Sequence, residues 1–383
     1  MQISPIHAMT TKSTQHVRTK SKPQWLAAVL GGLLTLLTLP VAAQTTAPIY
    51  ATDDTFVMSP GPGNMASYWD GAERNFGYMR SRHVAAATAH PGGNPANPSM
   101  GEFDVVARFY PSNAVAQLDA QYGVGGWRIS GLALKLTTSD NVAGPGMFNA
   151  PGTAGQYNVC WMPNDGGWVQ GNGYINQGSS SHDPVASPDN FTNLTCIGLQ
   201  STLSTNPEVV LNTLNFVKQG TLIPVTNSLT TTNLSFLAAL INAQPTTLLF
   251  NAADGQVAFN FTSHLYGDDR GTNEYSPTIY VTASPLPPPV AQIRLLNSTQ
   301  YLNLCFQRLA GVTNLTCLVE AAAALTQSQW TLVAAGTNGM PMSGPGLVSE
   351  TNSVTAGLKD VTVRDLVPVP AATSRFLRLR ILK

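Results

Sequence analysis

Two carboxylates set two residues apart, Glu102 and Asp104, fall on one face of an extended strand. Glu-x-Asp on a sandwich strand is an arrangement in which a glycosidase nucleophile and acid can stand ~5–5.5 Å apart across a sugar bond. Val106 and Ala107 follow where a third carboxylate would be needed, so a structural strand is the expectation here. Ser181-His182-Asp183 holds the residue types of a hydrolase triad, but sequence neighbours point apart and a triad draws on separated segments. The chain has no Gly-x-Ser-x-Gly, His-Glu-x-x-His or phosphate-cradling Gly-Lys-Ser/Thr motif. Beyond residue 43 the histidines are His83, His90, His182 and His264, too dispersed to suggest a metal centre. No catalytic residue is assigned, and a noncatalytic protein is expected.

Binding chemistry has better candidates. Asp268, Asp269, Asn273 and Glu274 form the densest set of oxygen ligands, and hard Ca²⁺ takes six to eight such oxygens. The spacing is not that of an EF-hand, so a solvated hairpin loop is the first expectation, with calcium the one cofactor these residues could hold. Asp53 and Asp54 are either a second contributor or a strand end. Tyr68, Trp69 and Trp168 stand in Gly-rich polar contexts, where partly exposed rings can stack on the C–H faces of sugars. Trp127, Trp161 and Trp330 lie in strand-like runs and are expected in cores.

The four cysteines are Cys160, Cys196, Cys305 and Cys317. Antiparallel pairing keeps the sum of opposed residue numbers constant. A hairpin centred on Gly311 would therefore oppose Cys305 and Cys317, with Cβ atoms ~4.5–5.5 Å apart, near the ~3.5–4.5 Å of a disulfide. Cys160 would then pair with Cys196. Two bridges require an oxidising compartment, and the N-terminus supplies the address. Lys12, Arg18, Lys20 and Lys22, without an acid, precede an apolar run from Trp25 to Leu39, then Pro40 and Val41-Ala42-Ala43. That is the pattern of a secretory signal peptide over 1–43, too short to span a bilayer. Its removal leaves 16 basic and 20 acidic side chains, which argues against a nucleic-acid partner.

The elements that position these residues read mostly as strands. Ser284-Pro-Leu-Pro-Pro-Pro289 is a stiff linker dividing 44–283 from 290–383. In the first part, Leu132, Leu134 and Leu136 alternate with Ala133 and Lys135, and Tyr157, Val159 and Trp161 alternate with Asn158, Cys160 and Met162. Further strands are expected at Glu102–Phe109, Thr246–Asn251, Gln256–Thr262 and Thr278–Ala283. Two short helices join them, one capped by Ser112 and stopped by Gly123, the other over Asn233–Ala243. In the second part, runs at 301–308, 315–320, 358–365 and 375–383 alternate apolar with polar residues, Leu377, Leu379 and Ile381 opposing Arg378 and Arg380. The fold class expected is all-β: a jelly-roll-like β-sandwich with two short helices over 44–283, and a smaller antiparallel β-sandwich over 290–383.

Ala51-Thr-Asp-Asp-Thr-Phe-Val57, Asn75-Phe-Gly77 and Ala107-Arg-Phe109 together resemble secreted bacterial β-sandwich proteins of the DNRLRE type, related to disaggregatase-type carbohydrate-binding modules. Tyr110 stands where that pattern usually has Asp. Tyr157 to Gly171, with Asn164-Asp165 and Trp168-Val-Gln-Gly, is similar to a stretch of the same proteins, and the tail resembles a β-rich module of bacterial surface proteins. The resemblance implies a noncatalytic extracellular sandwich. The expected function is therefore a secreted or surface-attached binding or adhesion protein whose partner is polysaccharide. A structural subunit that self-associates through exposed strands is the alternative, and a polysaccharide hydrolase or lyase built on Glu102 and Asp104 the second alternative.

Overall fold

The structure is a computed structural model that describes residues 44–58, 84–86, 103–138, 154–167, 205–217, 222–254, 257, 259–262, 264, 273–326, 329–369 and 374–383. Residues Gln44–Lys383 form one compact unit. The expected signal segment, 1–43, lies outside the described residues.

The fold is all-β with short helices, as the alternation predicts, and its first half is a β-sandwich. One layer runs in the order β1 (Thr45–Met58), β10 (Thr278–Pro285), β4 (Trp127–Thr137), β7 (Pro224–Ser228). The other runs β1, β3 (Phe103–Phe109), β8 (Thr246–Ala252), β5 (Gly155–Met162), β6 (Val209–Phe216), and every pairing is antiparallel. β1 belongs to both layers. Its first half pairs with β10, its second half with β3, and the register slips between Ala51 and Asp53 where it changes layer. An extra residue on one strand bends it and steepens its twist, which lets a single strand turn the sandwich corner. A small ribbon of β2 (Val84–Ala86) with β9 (Phe259–Phe261) lies beside these, β9 falling within the predicted 256–262.

Leu132, Leu134 and Leu136 are buried together with Val159, Phe250 and Ile279 in the space between the layers. Both predicted helices are present. In α1 (Ser112–Tyr122), Ala114, Val115 and Leu118 are buried, and Gly123 ends it at φ 84°. The N-cap is Pro111 rather than the predicted Ser112, which is the first helical residue, and no side chain caps the helix. In α2 (Leu234–Ile241), Asn233 Oδ1 accepts the Phe236 N–H at 2.8 Å, satisfying a donor that a helix start leaves open.

The second half is a smaller β-sandwich. One sheet is β11 (Val290–Leu296), β12 (Thr299–Leu309), β16 (Leu358–Pro368), β15 (Leu347–Asn352). The other is β14 (Thr331–Thr337), β13 (Thr316–Ala322), β17 (Phe376–Leu382). Leu304, Phe306, Val319, Val361 and Val363 fill the space between them, with Leu377, Leu379 and Ile381 packed against this core as the alternation predicts. The predicted linker begins inside β10, whose last residue Pro285 pairs with Trp127, a strand end where the missing N–H is tolerated. Leu309, Val312 and Leu358 of the second half are buried in the core of the first, and Lys383 Nζ reaches Asp119 Oδ2 at 2.8 Å.

Candidate functional site

The outer face of the β3–β8–β5 sheet carries a polar constellation built across its strands. Alternation places Arg108, Thr247 and Met162 in one row across the three strands. After Met162 the chain turns at Pro163 and brings Asp165 back over that row. Asp165 Oδ2 accepts from Arg108 Nη2 at 2.6 Å, Arg108 Nε at 3.2 Å and Thr247 Oγ1 at 2.7 Å, while Oδ1 accepts the Gly167 N–H at 2.9 Å. Burial pushes the Asp165 carboxyl up. The bonds from Thr247, Arg108 and Gly167, with the Arg108 charge, outweigh that and hold its pKa below the usual carboxylate value. Gly166 and Gly167 both have φ of 68°, the left-handed conformation that glycine adopts without cost. Asn164 Oδ1 accepts the Gly166 N–H at 3.1 Å, so both side chains of Asn164-Asp165 hold the turn. A carboxylate with four donors on it is committed to position. The arrangement fixes the turn over residues 163–167.

On the same outer face, a second row joins Thr213 Oγ1 to Asn158 Oδ1 at 2.8 Å and Asn158 Nδ2 to Asn251 Oδ1 at 3.0 Å. Between the two rows Cys160, Leu249 and Val106 are fully buried. Nothing in the alternation points to Thr247, Thr213 or Asn251, since polar residues alternating in a strand read as a water-facing side. Arg108 and Asp165 both lie in the stretches that carry the family resemblance, which does not join them.

Asp54 lies inside β1 rather than at a strand end. It is buried at the β1 corner, its Oδ2 accepting the His264 N–H at 2.6 Å and lying 3.2 Å from His264 Nδ1. Asn273 and Glu274 are exposed, and their carbonyl oxygens receive Lys135 Nζ at 3.4 Å and 2.5 Å. Lys135 lies on the face opposite the leucines, as the alternation has it, and is only 7% exposed because the 273–276 segment lies over it. Burial lowers its pKa, and the Glu274 charge partly restores it. Two main-chain oxygens of the predicted calcium loop are thus engaged by an ammonium. Among the described residues no cluster of His, Cys, Asp and Glu is arranged to hold a metal.

The predicted Cys305–Cys317 disulfide does not form. β12 and β13 are not a hairpin; the chain crosses between them from one sheet to the other. Cys305 faces outward between core-facing Leu304 and Phe306, opposite Val290 and Thr362, with Sγ 3.7 Å from Thr362 Oγ1. Cys317 faces inward between Gly336 and Ile381, where burial raises its thiol pKa. Opposite faces of two sheets cannot bring these sulfurs together. Cys160 is buried between Leu249 and Val210, and its proposed partner Cys196 lies outside the described residues.

Tyr68, Trp69, Trp168, Asp268, Asp269, Glu102, His83, His90 and 181–183 also lie outside the described residues. Asp104 occupies β3 opposite Val57. Trp127 is buried in the first core, as expected, with Nε1 donating to Asp119 at 2.9 Å. Trp161 packs against that core and its ring lies 5.7 Å from Phe236. Trp330 lies instead under the Arg378 guanidinium at 4.0 Å, outside the small core.

A small cleft opens between the layers, lined by Leu136, Tyr157, Phe216, Val225 and Phe261 among others. Burial pushes the Tyr157 phenol there well above its usual pKa, against a hydrogen bond to Asn227. Comparison of the chain with protein-family models and with curated proteins finds no match.

Proposed function

We propose that this protein is a secreted or surface-attached noncatalytic module that binds polysaccharide. The observation that carries the reading is the Arg108–Asp165–Thr247 clamp. It spends a charged pair and two left-handed glycines on fixing the turn that leads into Trp168, and a fixed turn is what a stacking aromatic needs to present one face without losing entropy on binding. The neighbouring Thr213–Asn158–Asn251 row supplies uncharged donors and acceptors of the kind that suits hydroxyl-rich ligands. Binding of residues 44–383 to a glycan array, with Trp168→Ala and Tyr68→Ala/Trp69→Ala as controls, tests it. Retained binding in all variants, or silence across the array, removes it. Addition of EDTA to the same array separates a calcium-dependent contact through Asp268, Asp269, Asn273 and Glu274 from direct stacking.

A second reading, a structural subunit assembled through exposed strands, is favoured by one observation. Every residue of β11 is exposed, Leu295 at 69%. An apolar edge strand left in this state is a pairing surface.

A further inference from the structure

Among the described residues the smaller sandwich is covered along one flank and open along the other. β12 lies across from β17, and β16 across from β14, so β11, beyond β12, has no strand opposite it among the described residues. Register with β12 puts Ala291, Ile293 and Leu295 on the same inward face as Leu304. Ile293 is nonetheless 60% exposed. Across the gap, β17 ends its sheet, paired with β13 on one side, and its inward Leu377 and Leu379 are only partly covered. An apolar floor on β11, an apolar wall on β17 and an open ladder edge are together what one added strand would cover.

Charge chooses the occupant. Residues 290–383 carry 8 Lys and Arg against 4 Asp and Glu, whereas residues 44–283 carry 8 against 16. Arg378 and Arg380 beside the open edge share one carboxylate, Glu320. Pairing β17 with β17 of a second copy would crowd four arginines around two glutamates, so a symmetric contact is disfavoured. The acidic half of a second copy is complementary. Among the described residues its sheet ends at β6, a strand without a charged residue or a proline, with Val210 55% exposed. The other end of that sandwich, β7, begins with Pro224, which blunts it.

We propose that the β11/β17 flank of one copy receives edge β6 of a second, head to tail, so that copies add in an open series. This rests on the assembly reading given above. Sedimentation of residues 44–383 over a concentration series tests it, with Ile293→Glu/Leu295→Glu as the acceptor variant and Val210→Lys as the donor variant. All three positions are exposed, and unchanged thermal melting confirms that each variant folds. Wild type is expected to sediment as a concentration-dependent series, about tenfold weaker in high salt than in low. Each variant alone is expected to be a monomer, and their equimolar mixture a dimer, since one intact donor meets one intact acceptor. A mixture that stays monomeric means that these two surfaces do not meet and overturns the proposal. Association that survives both variants overturns this flank and leaves the assembly reading standing, while a monomer at every concentration removes both.

Discussion

Replacing Asp165 by Asn removes the charge of the clamp and turns the oxygen that accepts the Gly167 N–H into a donor, so that bond is lost too. The two bonds from Arg108 to Oδ2 then change from charge-assisted to ordinary, a loss of about 1 kcal/mol each at most. The side chains of Arg108 and Asp165 are 11% and 23% exposed, so solvent screens the pair only in part. With the Gly167 bond also lost, an expected cost of about 2–3 kcal/mol follows for Asp165→Asn. Asp165→Ala should cost about 3 kcal/mol, because it leaves a largely buried guanidinium without its counter-charge. Urea unfolding followed by tryptophan fluorescence reads both. In a cycle with Arg108→Met, a coupling of about 1.5–3 kcal/mol is expected. Acid provides an independent check. The folded pKa of Asp165 lies below the ~3.9 of an unfolded aspartate, so its contribution is complete above ~pH 4 and is lost as pH falls through the folded value. Asp165→Asn should therefore flatten that part of the pH profile. A cost below about 0.5 kcal/mol, or additivity of the two single variants, would refute the clamp as the element fixing this turn.

Gly167→Ala should cost about 1 kcal/mol by urea midpoint, since its φ is left-handed and nothing stands within 4 Å of the added Cβ. Gly346→Ala should cost several times more, because its Cβ would collide with Val333 Cγ1 and the Arg364 carbonyl; equal costs would contradict the packing. A brief iodoacetamide pulse on native protein should label Cys305 well before Cys317, by peptide mass mapping. A Cys305–Cys317 linked peptide in a non-reducing digest would contradict the two-sheet arrangement. Arg375→Met should lower stability by about 3–5 kcal/mol, as fully buried Asp365 loses both 2.6 Å bonds from that guanidinium. Asp365→Asn in the same chain should recover part of the loss.

What could be read in the sequence is what a strand or a helix decides locally. Period-two alternation marked Trp127–Thr137, Tyr157–Met162 and the last strand, because one face of each meets a core whatever its neighbours are. Gly123 bounded the first helix and Asn233 opened the second for equally local reasons. Partner choice is not local. The sequence around Gly311 is as compatible with a hairpin as with a crossing between sheets, and only the packing of two layers decided that Cys305 and Cys317 face different ways. Lys135 alternates as a solvent residue should, yet a segment some 138 residues away in sequence covers it and takes its ammonium. Arg108 and Asp165 are 57 residues apart and meet because β3, β8 and β5 lie side by side. Local chemistry set the strands and the charges, whereas the juxtaposition of the strands made the clamp and left one flank of the smaller sandwich open.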